Sequence, residues 1–228
     1  MTDARGDLER NLAELRTRIE RAAHRSGRTP ADVTLVAVTK TLPPETVQLA
    51  NEIGVRDFGE NYANELSEKR PVAPEARWHF IGVLQSHTAN RVAELADVVH
   101  SAAPGHALER LARRAAAADR TIPILLQIDE AGRGHGVPPD RAEAAIEELA
   151  ALPAVLPVGL MSLPPPPASP EDSRPYFVHL RQLRDDLRTR FGDLVELSMG
   201  MSLDYEIAVE EGATMVRVGT ALFGPRPG

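Results

Sequence analysis

Lys40 is one of only two lysines in a chain with 26 lysine and arginine residues, and it ends the apolar, β-branched run TLVAVTK. An amine held at the end of a buried strand is desolvated, which lowers its pKa and lets it attack an aldehyde or ketone to form a Schiff base. The plainer role for such a lysine is to lay its stem along apolar surface and keep its charge in water. The other lysine, Lys69, lies in SEKR beside Pro71 and reads as a solvated helix end. A genome that favours arginine codons accounts for the scarcity of lysine.

Two stretches near the C-terminus, SMGMS ending at Ser202 and VRVGT ending at Thr220, combine glycine with hydroxyl residues. Backbone N–H groups at such turns, with a helix start beside them, bind phosphate. Ser202 is placed to cap the helix that follows, with Glu206 beyond it, and capping could be its whole role. Gly219 offers close backbone approach and Thr220 a hydroxyl, while Arg217 could simply pair with Glu196 or Glu211. A lysine that traps an aldehyde, together with a phosphate cup, describes a pyridoxal phosphate site.

Such residues must be brought together by the elements between them. Leu8, Leu12, Leu15 and Ile19 recur at helical spacing. Strand candidates lie near Val36, Phe58, Phe80, Val98, Leu126, Val158, Val195 and Val216, and helical stretches over 45–52, 63–69, 86–95, 106–118, 138–152, 171–190 and 202–211 separate or follow them. Buried strands alternating with helices imply a parallel sheet. Eight repeats in a chain near the ~250-residue norm imply an α/β fold, a single (β/α)8 TIM-type barrel with an extra N-terminal helix. An open doubly wound sheet is the alternative, but no G-x-G-x-x-G follows the first strand. No shift of composition marks a second domain, so residues 1–228 read as one, and Pro164 to Pro167 read as an extended loop. In this barrel, sites form at the C-terminal strand ends. Lys40, Glu60, Asn61, His79, Gly82, the 198–202 stretch and the 217–220 stretch all fall there.

Composition narrows the function classes. A net charge of −7 argues against non-specific nucleic-acid binding and gives no reason to dock on an anionic membrane. There is no cysteine, which removes disulfides, thiolate catalysis and cysteine-ligated metals. The start, MTDARGDLER, is charged and unlike a signal peptide, and the longest apolar stretch is broken by Pro153 and Pro157. A cytoplasmic protein is expected. His79, His87, His100, His106 and His135 show no paired metal-ligand spacing, so no metal site is expected.

TLVAVTK, FGENY, WHFIGVLQS, GLMSL, LSMGMSLDYEIAVEEG and VRVGTALFG, in that order from Thr34 to Gly224, resemble the YggS/PROSC family of pyridoxal phosphate homeostasis proteins. The resemblance implies a barrel similar to the N-terminal domain of bacterial alanine racemase, with pyridoxal 5′-phosphate as a Schiff base on Lys40. By the same resemblance Ser202, Gly219 and Thr220 hold the phosphate, Arg217 faces the pyridine nitrogen, and Asn61 lies near the ring with His79 and Met199 as neighbours. An arginine there can only donate a hydrogen bond, so the ring is a poor electron sink. Racemases of this type add a tyrosine from a separate C-terminal domain. This chain ends four residues after Gly224, and Tyr62, Tyr176 and Tyr205 are no obvious substitutes.

The implied role is a monomeric carrier that buffers pyridoxal phosphate or delivers it to apo-enzymes dependent on it, rather than an enzyme. Three other readings stay open: an amino-acid racemase or decarboxylase using the same site, a class I aldolase trapping a ketone on Lys40, and an interaction module acting through the proline run. Departures from the family pattern are His87-Thr88 where Asn-Lys is usual, Asp129 and His135 where Asn and Lys are frequent, and SAAP after His100.

Overall fold

Eight parallel strands close into a barrel in chain order, each paired with its sequence neighbours and the last with the first. The computed structural model describes residues 4–132, 134 and 136–225. The strands are β1 (Thr34–Val38), β2 (Asp57–Glu60), β3 (Arg77–Phe80), β4 (Val98–Ala102), β5 (Ile122–Ile128), β6 (Val155–Ser162), β7 (Glu196–Ser198) and β8 (Met215–Val218). The helices are α1 (Ala4–Arg25), α2 (Pro44–Glu52), α3 (Ala63–Lys69), α4 (Ala89–Leu95), α5 (His106–Ala117), α6 (Ala142–Ala150), α7 (Arg174–Arg188), α8 (Tyr205–Glu210) and α9 (Thr220–Phe223). The architecture is the expected (β/α)8 barrel, and α1 is the extra helix. Its Leu8, Leu12, Leu15 and Ile19 are buried, and it packs on α8 and α9.

Several helices are shorter than their apolar periodicity suggests. Prolines open 3-10 turns at Pro139–Arg141 and Pro170–Ser173 before α6 and α7 begin. The second turn is fixed by the carboxylate of Asp172, which accepts the Ser169 N–H at 2.7 Å. The segment after β8 forms the single-turn helix α9.

Strand periodicity divides the buried residues into two sets. Val99 and Leu160 join the large core between barrel and helices. Val98, Leu125 and Met161 form a separate small cluster with Val158 and Leu163 packed on it. His100 shares the face of Val98, and it bonds Ser198 on β7, which is not a neighbour of β4. That bond therefore crosses the barrel interior. No helix among the described residues is long and apolar enough to cross a membrane.

Candidate functional site

Lys40 lies two residues past the end of β1, partly buried, between two residues that are both clamped. Before it, Thr39 donates its hydroxyl to Glu60 Oε1 at 2.6 Å, and its carbonyl accepts from Lys69 Nζ at 2.7 Å. After it, the Thr41 N–H donates to Glu65 Oε2 at 2.7 Å. Lys69 Nζ also donates to Glu60 Oε1 at 2.7 Å and to Glu65 Oε2 at 2.5 Å. Thr41 has φ of +65°, a left-handed conformation that a β-branched residue adopts only when its surroundings impose it. The expectation of a solvated Lys69 is overturned: it is 2 % exposed and Glu60 is fully buried. Glu65 and Lys69 form an i,i+4 pair that looks like surface in sequence, but α3 turns it inward over the end of β2. Burial pushes the Glu60 carboxyl up, while Lys69 and Thr39 pull it back down.

The loops after β7 and β8 meet beside Lys40. β1 pairs with β8 in a register that sets Ala37 against Val218, so Lys40 and the Gly219–Thr220 pair leave adjacent strands at the same end. Ser202 does not cap α8; Asp204 occupies the N-cap position and its Oδ1 accepts the Met201 N–H at 2.7 Å. The Ser202 hydroxyl oxygen instead accepts from Gly219 and Ala221 N–H, each at 3.3 Å. Thr220 opens α9 and is exposed. Gly200 has φ of +88°, and a Cβ there would lie 2.4 Å from that of Ala208, so the loop holds this shape only with glycine. Met199 is fully buried in the core between barrel and helices, placing it behind the loop rather than at its surface.

Arg217, on β8, is 3 % exposed and pairs with neither Glu196 nor Glu211. Its Nη1 donates to Ser198 Oγ, and its Nη2 donates to the Ser162 carbonyl at 2.8 Å. No carboxylate among the described residues hydrogen-bonds to it, and burial pushes its pKa down to about 10. From Ser198 the polar line continues inward. Ser198 Oγ is 2.8 Å from His100 Nδ1, His100 Nε2 is 2.8 Å from His79 Nδ1, and His79 Nε2 is 3.0 Å from Asp57 Oδ1. His79 is thus a barrel-interior residue with both ring nitrogens engaged. Burial lowers the pKa of His79, against an opposing pull from Asp57, and lowers that of His100 well below the usual range.

Asn61 follows β2, where Gly82 lets the chain after β3 approach; a Cβ on Gly82 would lie 2.0 Å from the Asn61 carbonyl oxygen. Asn61 Oδ1 and Ser162 Oγ are buried without a hydrogen-bond partner among the described residues. His87 and Thr88 line a groove with Asn61, Tyr62 and Arg91. His135 lies outside the described residues. The structure adds Asp57, Glu65, His100 and Ser162 to the site, residues that sequence reading gave no part in it; it also brings in Lys69, expected to be solvated, and gives partners to Glu60 and Ser198, already placed at strand ends. For His100 a signal existed, since it follows the apolar pair Val98–Val99 inside a wholly buried strand.

The family model for the alanine racemase N-terminal domain matches residues 10–227. A pyridoxal phosphate homeostasis protein of Pseudomonas aeruginosa is 40 % identical over 223 residues, covering 96 % of both chains. One from Aquifex aeolicus is 36 % identical over 220 residues, covering 94 % of this chain and 96 % of that one. Among solved structures, PipY of Synechococcus elongatus with PLP bound superposes with a TM-score of 0.83 at 34 % identity, covering 95 % of this chain and all of that one.

Proposed function

Because the chain belongs to the family of pyridoxal phosphate homeostasis proteins, built on the alanine racemase N-terminal domain, we propose that it holds pyridoxal 5′-phosphate covalently on Lys40 and serves as a carrier of that cofactor. The observation that carries the reading is the Ala37–Val218 register, which sets Lys40 beside the Gly219–Thr220 turn at one end of the barrel. The residues suit the group. Ser202, Gly219 and Thr220 surround a turn whose backbone N–H groups are already drawn toward a hydroxyl oxygen, a setting a phosphate can enter. Arg217 is a buried cation with no carboxylate hydrogen-bonded to it among the described residues, and it stands as the donor to the ring nitrogen. Asn61, with an unpartnered buried oxygen, lines the ring. His79 stands behind Arg217 through His100 and Ser198, and Met199 supports the loop from the core side.

When bound, the cofactor supplies an aldehyde for amines to trap and a ring that can draw electron density. Arg217 limits the second property, since a guanidinium donates to the ring nitrogen without protonating it. Tyr205 makes a poor acid–base partner, being buried with its pKa pushed up to about 12. These features favour holding over turnover: a monomeric, cytoplasmic, single-domain protein that buffers the cofactor or passes it to apo-enzymes. The test is the visible spectrum of the purified protein before and after borohydride, with peptide mapping. A yellow protein that bleaches and carries the pyridoxyl group on Lys40 supports the site. A protein that stays colourless with added pyridoxal phosphate overturns it, and amino-acid turnover lost in Lys40→Ala overturns the carrier role.

A further inference from the structure

Interiors of these barrels are filled mainly by branched apolar side chains. Here a line of polar groups from five strands crosses the interior, from Arg217 on β8 through Ser198 on β7, His100 on β4 and His79 on β3 to Asp57 at the start of β2. We propose that Asp57, His79, His100 and Ser198 form a one-directional hydrogen-bond relay that fixes the Arg217 guanidinium as a donor toward the cofactor ring and couples it to an anion at the opposite end of the barrel. This rests on the reading of Lys40 and Arg217 given above.

The direction follows from the two ends. A guanidinium can only donate and an ionised carboxylate can only accept. Asp57 therefore requires the proton on His79 Nε2. With His79 neutral, its Nδ1 accepts, so His100 must carry its proton on Nε2. His100 Nδ1 then accepts, and the Ser198 hydroxyl donates to it while receiving the Arg217 N–H. Every group is satisfied, and no other arrangement of two neutral imidazoles satisfies them all.

One more proton reverses the line. In the state where His79 is doubly protonated and donates from Nδ1, His100 Nε2 must accept and a neutral His100 carries its proton on Nδ1, so the Ser198 hydroxyl no longer faces an acceptor on His100. Charge at the Asp57 end is thereby transmitted to the residue that anchors Arg217. Asp57, Arg77 and Asp97 are the charged groups acting on His79; His79, Arg77 and Arg217 act on His100. Burial favours the neutral pair, and the Asp57 carboxylate, 23 % exposed, offers the contact with water. The four are positioning residues, acting through Arg217. A purely structural purpose is poorly served by such a line, since apolar side chains of similar volume commonly stabilise a core as well or better.

The test combines nitrogen-15 NMR of the imidazole rings, with and without pyridoxal phosphate, and pH titration of the bound chromophore in wild type, Asp57→Asn, Ser198→Ala and Ser198→Thr. Both rings should be neutral with the proton on Nε2 at pH 8. Removing the Asp57 charge, or cutting the line in Ser198→Ala, disfavours a cationic chromophore, so its titration midpoint should fall by about half a pH unit. Ser198→Thr should restore it. A proton on Nδ1 of either ring, or midpoints in Asp57→Asn and Ser198→Ala that superimpose on wild type, overturns the relay. Should those variants fail to fold, the wild-type tautomers decide alone. A protein left unlabelled on Lys40 overturns the cofactor reading instead, a result separate from unmoved midpoints in a labelled one.

Discussion

Lys69 Nζ lies 2.7 Å from the carbonyl oxygen of Thr39, so a buried ammonium holds the residue immediately before Lys40. The same ammonium bonds Glu60 and Glu65, and Glu65 holds Thr41 on the other side. Lys69→Met removes one partner of a buried pair and leaves the fully buried Glu60 carboxylate uncompensated. A loss of about 3–5 kcal/mol in urea unfolding is expected. The double variant Lys69→Met, Glu60→Gln should recover part of that loss, because it carries no orphan charge. Glu65→Gln keeps an acceptor for Thr41 and should fold, yet release pyridoxal phosphate faster as the turn at Lys40 loosens. Equal release rates in Glu65→Gln and wild type would show that the clamp serves stability alone.

Gly200→Ala tests the loop that carries Ser202. The added methyl would strike Ala208, and φ of +88° is strained for any side chain. Thermal unfolding should report a loss of about 1–3 kcal/mol from the backbone strain alone, with weaker retention of the cofactor. Gly192→Ala is the control, since nothing lies within 4 Å of a Cβ there. It should stay within about 0.5 kcal/mol of wild type. Similar losses in the two variants would remove the special role given to Gly200.

Stability should fall on mild acidification. His79 and His100 have pKa values lowered by burial in the folded protein, whereas in the unfolded chain each titrates near ~6.5. Below that value the unfolded chain takes up protons that the folded one rejects. Unfolding then becomes easier by up to about 1.4 kcal/mol per pH unit for each imidazole, until the folded pKa is reached. Above about pH 7 this contribution is constant. Urea midpoints measured from pH 8 to pH 5 check the sign, and His100→Gln should flatten the slope. An unchanged slope in that variant would mean that His100 is not among the groups responsible.

The barrel was legible because eight short strand candidates alternate with helical stretches, and Lys40, Ser202 and Gly219 stand just beyond strand ends. The Lys69 cluster was not, because an i,i+4 Glu–Lys pair looks the same on a solvated face as it does folded over a strand end. Burial of that pair depends on how α3 packs, a tertiary outcome no local pattern encodes. Ser202 misled for a related reason: a serine ahead of a helical stretch resembles a cap, and only the pairing of β7 with β8 brings Gly219 to it. The relay was hidden by distance, since His100 and Ser198 are 98 residues apart and meet only across a closed barrel.

Ser202 also separates recognition of the phosphate from the covalent bond. Its oxygen gathers the Gly219 and Ala221 N–H groups, and its own proton is available to an anion. Hydrogen bonds to charged groups contribute about 1.5–3 kcal/mol each, so Ser202→Ala should weaken retention of pyridoxal phosphate by roughly 10- to 100-fold. Pyridoxal, which has the aldehyde and lacks the phosphate, makes no such contact. Its reaction with Lys40 should be the same in wild type and variant, measured by absorbance and by borohydride labelling. If Ser202→Ala weakens both ligands equally, the serine shapes the loop and does not read the phosphate. If it weakens neither, the phosphate is held elsewhere, and Thr220 at the start of α9 becomes the next residue to replace.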